Sequence, residues 1–288
     1  LIYRVSYLYG TAIIKRLKKK IGFITTNSGT AHSHMSIDQS IDYIKNVFND
    51  YKSISGIEKF YGKIAEVGPG DSNGVAFLMI SDGADSVDLV DKYYSSRDEK
   101  HEEDVLCRLS SRSFKHKIKK AKRHYGNEAS AESFFQNNNR YDFIVSRAVL
   151  EHVDAPLFSI QSMYNSLNRG GMLIHKVDLR DHGMFSEYKL HDLTFLTIPK
   201  KLYKLFTHNT GRPNRVMADE YISFIEKNFS NYTIYVTSLS GKGELEVDQY
   251  FDLKNLNYKN LTKSDLYIQE LFNNHIAGDL GLKSIRYI

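Results

Sequence analysis

The sequence predicts an α/β fold with a mostly parallel sheet, and three observations predict it. A short apolar run, Ile64–Val67, leads through the turn Gly68-Pro69-Gly70 into a helical stretch, Val75–Ile80. A second run, Phe143–Val145, is apolar and rich in β-formers, as suits a central parallel strand. A helical pattern opening at Pro156 is followed by Asn168-Arg169-Gly170-Gly171 and a third run, Met172–Val177.

Taken in order, the chain begins with Leu1–Leu17, where Ile2, Val5, Leu8, Ile13 and Leu17 lie among Tyr3, Tyr7 and Tyr9, followed by the basic run Lys15–Lys20. This segment suits an amphipathic helix that touches a membrane surface, or one that packs on the domain or on a second copy in a homodimer. It has no cleavage-site pattern, and its basic residues follow the apolar part, so a secretory signal is not expected. Thr25–Met35 reads as a surface loop carrying His32 and His34. Ser36-Ile37-Asp38-Gln39 fits a capping box, and Ile37, Ile41, Ile44, Val47 and Phe48 recur at helical spacing.

The glycine turn comes next. Glycine at positions 68 and 70 lets backbone press against a ligand where a β-carbon would clash. Asp71 or Ser72 can cap the following helix, so strand, turn and helix N-terminus form a cradle of nucleotide size. A dinucleotide fingerprint places its third glycine sixth in G-x-G-x-x-G. Here that position is Asn73, and Gly74 falls one place late, while Glu66 sits two places before the first glycine. Gly83–Asp91 reads as a loop and second strand ending in an acid, about twenty residues past the turn, where a carboxylate can accept both hydroxyls of a ribose. Asp88 points differently and is expected to be structural.

Glu66-Val67-Gly68-Pro69-Gly70 resembles motif I of the class I S-adenosylmethionine methyltransferases. Tyr141–Val153, with Ser146 at the strand end and Val149-Leu150-Glu151-His152-Val153 after it, is similar to that family's fourth-strand signature. Ala129–Phe134 resembles its adenine-proximal segment, with Ser130 in place of the usual aspartate. Helix, Asn-Arg-Gly-Gly and strand match what precedes its fifth strand. The resemblance covers about residues 60–180. It implies a doubly wound, Rossmann-like sheet of seven mostly parallel strands, with a helical extension or lid over residues 1–58. A cofactor-binding domain would span 59–288, with a substrate-binding insertion around 178–220. S-adenosylmethionine is the implied cofactor. Glu66 would meet its methionine ammonium, Gly68, Pro69 and Gly70 would allow backbone approach, and Asp91 would hold the ribose. Ser130, Ala131 and Glu132 would lie near the adenine, and the backbone at Ser146 would hold the methionine part. His152 is expected to pack beneath the site.

Composition narrows the rest. The chain has 288 residues, 41% of them hydrophobic, which suffices for a full α/β core. A single cysteine, Cys107, excludes intramolecular disulfides and cysteine-rich zinc sites and fits a reducing, cytoplasmic setting. No run is long enough to span a bilayer. The net charge of +5 is concentrated in Lys15–Lys20 and in Lys115–Arg123. Neither run carries an RNA-binding signature, so both read as solvated helix faces and no nucleic-acid partner is expected.

The chemistry is expected just past the fifth strand, in Asp178-Leu179-Arg180-Asp181-His182. A hydroxyl acceptor must lose a proton on methylation, and a histidine oriented by a carboxylate can take it. His182 is the candidate base, with Asp178 or Asp181 as its partner; alternatively the acids cap the loop or pair with Arg180. Farther on, His191-Asp192-Leu193-Thr194 and Asn214-Arg215 are candidate acceptor contacts. Their arrangement resembles a bacterial subgroup of methyltransferases associated with cell-surface polysaccharide synthesis, which implies a sugar hydroxyl as acceptor. The other readings are N- or O-methylation of a small metabolite or lipid head group, and a non-catalytic binder of the cofactor. The acids and His191 match no metal motif, so no metal is expected.

Overall fold

The structure is a computed structural model that describes residues 1–20, 31–110, 114–137, 140–190, 194–236, 238–239, 243–244, 251–252 and 279–285. The candidate acceptor contacts His191 and Asp192 lie outside the described residues.

In chain order the elements are α1 (Ile2–Lys20), α2 (Ile37–Ser55), β1 (Gly62–Val67), α3 (Gly74–Asp82), β2 (Ala84–Asp91), α4 (Glu99–Leu109), α5 (Phe114–Ile118), β3 (Ala121–Tyr125), α6 (Phe134–Asn137), β4 (Tyr141–Arg147), α7 (Pro156–Asn165) and β5 (Leu167–Asp178). There follow α8 (Lys200–Thr207), α9 (Ala218–Asn228), β6 (Tyr232–Val236), β7 (Ser238–Leu239), β8 (Gly243–Glu244), β9 (Phe251–Asp252) and β10 (Asp279–Ile285). The chain divides into two compact units, one holding residues 24–147, 158–175 and 283–288, the other 1–23, 148–157 and 176–282. Thus α1 and α2, both within residues 1–58, belong to different units.

The first unit is a layered α/β body. Its strands run in the order β3-β2-β1-β4-β5. β1 pairs in parallel with β2 on one side and with β4 on the other, and β2 pairs in parallel with β3. The order reverses between β1 and β4, which places the carboxyl ends of those two strands at the switch point where open α/β sheets bind ligands. Ile64, Ala65, Val67, Phe143, Ile144 and Val145 are buried, so the central strands are apolar on both faces. β3 was not expected. Its sequence, Ala121-Lys122-Arg123-His124-Tyr125, has no apolar alternation because it is an edge strand with charged residues, and it uses the end of what read as a basic helix face.

α2 forms as its pattern predicts. Ser36 accepts from the Gln39 amide, the Gln39 side chain accepts from the Ser36 amide, and Ile41, Ile44 and Val47 are buried. Gly74 lets α2 lie close on α3, since a β-carbon there would stand 2.3 Å from the Ile44 methyl. The cap of α3 differs from expectation. Asn73 occupies the N-cap position without its side chain capping the helix, and the Ser72 hydroxyl accepts from the Gly74 amide at 3.0 Å. Asp71 faces away from the helix, accepting from the Ser33 amide at 2.9 Å and its hydroxyl at 2.7 Å. α7 ends earlier than expected, and β5 takes in Asn168–Gly171, because Asn168 donates to Asp142 at 2.8 Å and Gly171 packs against the carbonyls of Tyr141 and Asp142.

The second unit holds α1, α8, α9 and strands in the order β10-β6-β9, of which β6 and β9 are antiparallel. After α9 the chain forms β6 in that sheet and β7, which pairs with β8 in a separate two-stranded ribbon. α1 buries Leu8 and Ala12 while Ile2, Tyr3, Tyr7, Ile13, Ile14 and Leu17 are exposed. Its cations are partly engaged. Lys15 donates to the Thr210 carbonyl at 3.3 Å and Arg16 to the carbonyls of Leu205 and His208, at the C-terminal end of α8 where backbone oxygens lack helical partners. No helix among the described residues is long and apolar enough to cross a membrane.

Candidate active site

The first unit assembles one polar site at the switch point. Gly68 and Gly70 both have left-handed backbone, with φ of 71° and 63°, which a side chain would oppose. The turn is fixed on two sides: the Gly68 amide donates to the Val90 carbonyl of β2 at 2.8 Å, and Arg123 of β3 donates to the Gly70 carbonyl at 2.8 Å, the Ser72 carbonyl at 2.7 Å and the Asn73 side-chain oxygen at 2.6 Å. Sequence reasoning missed Arg123. Its signal was a place two residues before the end of a short strand opposite β2, hidden inside a run of lysines.

Glu66 is buried at the end of β1, and its Oε2 has no hydrogen-bond partner. Burial pushes its carboxyl up to about 7, against the pull of Arg123. Asp91 ends β2, where its Oδ1 accepts from the Tyr93 amide at 2.8 Å. Burial pushes this carboxyl up to about 6, opposed by the Tyr93 amide and Arg123. Two buried carboxyls with no ion pair to a side-chain cation mark this end of the sheet as a candidate ligand site. Asp88, as expected, is structural: it accepts from Tyr141 at 2.8 Å and meets His124 at 2.9 Å and Lys63 at 3.1 Å. Ser130 and Ala131 are buried and Glu132 half-buried just past β3. Ser146, opposite Val67 in the β1–β4 register, bonds His175 Nδ1 at 2.7 Å. His175, wholly enclosed and held at about 3 by burial, is neutral at physiological pH. His32 packs edge-on against Tyr43 at 5.2 Å between ring centres, within the same unit.

The second unit gathers a different cluster. His182 Nε2 lies 3.5 Å from Asp178 Oδ2 and 3.6 Å from Glu151 Oε1, and its ring stands edge-on to His152 with centres 4.6 Å apart. Burial holds the His182 imidazole below its ordinary range, so it is neutral and able to accept a proton at pH 7. Burial raises the Asp178 carboxyl, but hydrogen bonds from Arg180 and the nearness of His182 outweigh it and leave it below the usual range. Arg180 binds Asp178 at 2.6 and 2.9 Å. Glu151, buried after β4, is the carboxylate that sequence reasoning quoted within a signature and gave no role.

Three expected site residues are occupied otherwise. Asp181 does not orient His182: its oxygens accept from the Gly183, Phe185 and Ser186 amides at 3.0, 2.7 and 2.9 Å and from the Ser186 hydroxyl at 2.7 Å, shaping the loop. Asn214 donates to the Leu150 and Val153 carbonyls at 2.8 and 2.9 Å. Arg215 donates to the carbonyls of Ile198 and Leu196 at 2.5 and 2.7 Å and stacks on Tyr203 at 5.1 Å. Each of the three is thus engaged mainly with backbone groups of its own loop or its neighbours.

Residues 53–215 match the family described as "Methyltransferase domain". The chain belongs to this methyltransferase family. It is an enzyme. The site fits S-adenosylmethionine, the cofactor that the sequence implies. The orphaned Glu66 oxygen and the Asp91 carboxylate would supply acceptors for its ammonium and ribose, and the left-handed glycines would leave room for it. Comparison with curated proteins finds no match. Among solved structures, the methyltransferase is similar to Haemonchus contortus phosphoethanolamine N-methyltransferase 2 in complex with S-adenosylmethionine (12% identity, TM-score 0.48). There 86% of this chain aligns, and it spans 53% of that one, about half its length. It is similar to the plantazolicin methyltransferase BamL in complex with S-adenosylhomocysteine and a desmethyl analogue (13% identity, TM-score 0.47, 99% and 98% of the two chains). A Bacillus halodurans methyltransferase shows 11% identity and a TM-score of 0.45 over 84% of this chain and all of that one.

Proposed function

We propose that this enzyme methylates a hydroxyl oxygen of a sugar, in a glycan or a glycan precursor. The observation that carries the proposal is the neutral imidazole of His182 held between two carboxylates, at 3.5 Å from Asp178 and 3.6 Å from Glu151. When bound, S-adenosylmethionine supplies an activated methyl carbon, and its leaving sulfur becomes neutral and needs no acid. The demand on the chain is therefore at the acceptor. His182 takes the hydroxyl proton, and the resulting imidazolium is stabilised by Asp178, whose negative charge Arg180 maintains. Glu66 receives the methionine ammonium, and Gly68, Pro69 and Gly70 let backbone approach. Asp91 holds the ribose hydroxyls, Ser130–Glu132 border the adenine, and the backbone at Ser146 holds the methionine part. Within the same proposal fall His191 as an acceptor contact, a sheet completed to seven strands, and residues 1–58 as an N-terminal extension. A cytoplasmic location belongs there too, with α1 resting on the inner membrane face through Ile2, Tyr3 and Leu17.

The test is methyl transfer from labelled S-adenosylmethionine to a panel of nucleotide sugars and oligosaccharides, beside small amines and lipid head groups. Sugar turnover that His182→Ala lowers by ~10²–10⁴ in kcat, the scale of a lost general base, supports the proposal. Turnover on amines alone, or indifference of kcat to His182→Ala, overturns it.

A further inference from the structure

The cluster around His182 has a second property that a general base does not require. One ligand atom each from Glu151, His152 and His182 lies within 4.8 Å of the other two. All three residues belong to the same compact unit. Nδ1 of His152 is buried with no hydrogen-bond partner. A buried ring nitrogen left unpaired is costly unless a ligand takes it. His182 sits at φ 50°, a left-handed conformation that a side-chain-bearing residue rarely adopts, and Gly183 follows at 73°. Such strain persists where surrounding structure fixes it, and it gathers at functional sites. Asp178 is not part of the set, because Arg180 engages both its oxygens.

We infer that Glu151, His152 and His182 form a binding site for a divalent first-row transition cation. Two imidazoles and one carboxylate suit zinc, manganese, cobalt or iron, and are a poor set for magnesium or calcium, which take all-oxygen shells. Bonds of ~2.1 Å put neighbouring ligands roughly 3.4–4.2 Å apart, so the 3.6 Å pair of His182 Nε2 and Glu151 Oε1 is already at ligand spacing. The other separations are no more than 4.8 Å. Three protein ligands leave a fourth position open, as catalytic sites do, and a sugar hydroxyl is an oxygen donor that fits it. The inference goes beyond the proposed acceptor chemistry: an ion-bound His182 is a ligand and cannot also be the base, so in the ion-bound enzyme the site binds the hydroxyl oxygen and no proton transfer to His182 is assigned. The existence of the site rests on geometry alone.

The experiment is titration of the chelator-treated full chain with Co²⁺, followed by visible absorption, with no acceptor or methyl donor present. The expected result is one equivalent bound with d–d bands of a low-symmetry site, lost in His152→Ala and His182→Ala. Glu151→Gln, which keeps size and shape, should weaken binding at least tenfold while the far-ultraviolet spectrum stays that of the wild type. If Co²⁺ binds no more tightly to the wild type than to Glu151→Gln and His182→Ala, the inference is overturned. Methyl transfer to sugars that survives chelation and still depends on His182 would then leave the acceptor proposal standing without an ion.

Discussion

Arg123 donates to the carbonyl oxygen of Gly70 at 2.8 Å, so the third strand holds the glycine turn that follows the first. The same guanidinium binds Ser72 and Asn73, which lead into α3. Three acceptors arranged around one planar fork fix the turn in its left-handed conformation through contacts made within the chain. The turn is therefore pre-organised, and the entropy of ordering it is not charged to binding.

Arg123→Met should lower affinity for S-adenosylhomocysteine about 10- to 100-fold. A charge-assisted hydrogen bond contributes about 1.5–3 kcal/mol, and about 1.4 kcal/mol is tenfold in affinity. Arg123→Lys should recover little, because an ammonium cannot reach three divergent oxygens. Calorimetric titration of the two variants decides it. Wild-type affinity in Arg123→Met would mean the turn keeps its shape without β3.

The proposed roles of Asp91 and Glu66 make cofactor binding pH-dependent in a direction that their shifts fix. Burial raises both carboxyls, to about 6 and about 7, so each is increasingly neutral as pH falls through those values. A neutral carboxyl loses its ionic hold on an ammonium and its stronger acceptance of ribose hydroxyls. Affinity for S-adenosylhomocysteine should be level above pH 8 and fall steadily below pH 7. Asp91→Asn should weaken binding at pH 8 by ~1–3 kcal/mol and remove the lower part of the slope. An affinity that is unchanged from pH 8 to pH 5.5 in the wild type would overturn the assignment of both residues.

Much of the first unit was legible because its signals are local. Gly68 and Gly70 declare left-handed backbone, and runs such as Phe143–Val145 can only be buried strand. What escaped was decided by long-range contacts. Arg123 looked like one more solvated cation in Lys115–Arg123, and only the parallel register of β3 beside β2 turns it onto the glycine turn. Asn214 and Arg215 read as acceptor contacts because polar residues in a turn-rich loop invite that role. Their partners, carbonyls at Leu150, Val153, Leu196 and Ile198, are up to 64 residues away and leave no mark in the local sequence. Glu151 was visible within its motif, but its approach to His182 depends on how the loop after β5 folds around Asp181.

The ligand-free protein should be less stable at pH 8 than at pH 5 on account of Glu66. Its folded-state value, about 7, stands above the ordinary 4.5, so the favourable neutral form is fully present below pH 4.5 and is lost as pH rises through 7. The difference is at most about 3 kcal/mol, since each tenfold change in proton affinity between the folded and unfolded chains is worth about 1.4 kcal/mol. Glu66→Gln should show a smaller loss over the same interval, because the amide does not ionise. Urea midpoints of both proteins at pH 5 and pH 8 isolate the contribution, since other titrating groups cancel between them. Equal pH slopes would mean that Glu66 is solvated in the free protein.

Asn214→Ala and Arg215→Ala distinguish a frame from an acceptor contact. Asn214 bridges the carbonyls that follow β4, and Arg215 ties the segment before α8 to the one before α9 while lying over Tyr203. Removing either leaves buried carbonyls unpaired, at about 1–3 kcal/mol each. Both variants should therefore unfold at lower denaturant, with KM for the acceptor within about twofold of wild type, where about 1.4 kcal/mol of lost contact would give tenfold. Any fall in activity should track the unfolded fraction and vanish when the assay is cooled or cofactor is supplied in excess, because a ligand that binds only the folded state restores it. A tenfold rise in KM with an unchanged unfolding midpoint would return both residues to the acceptor site.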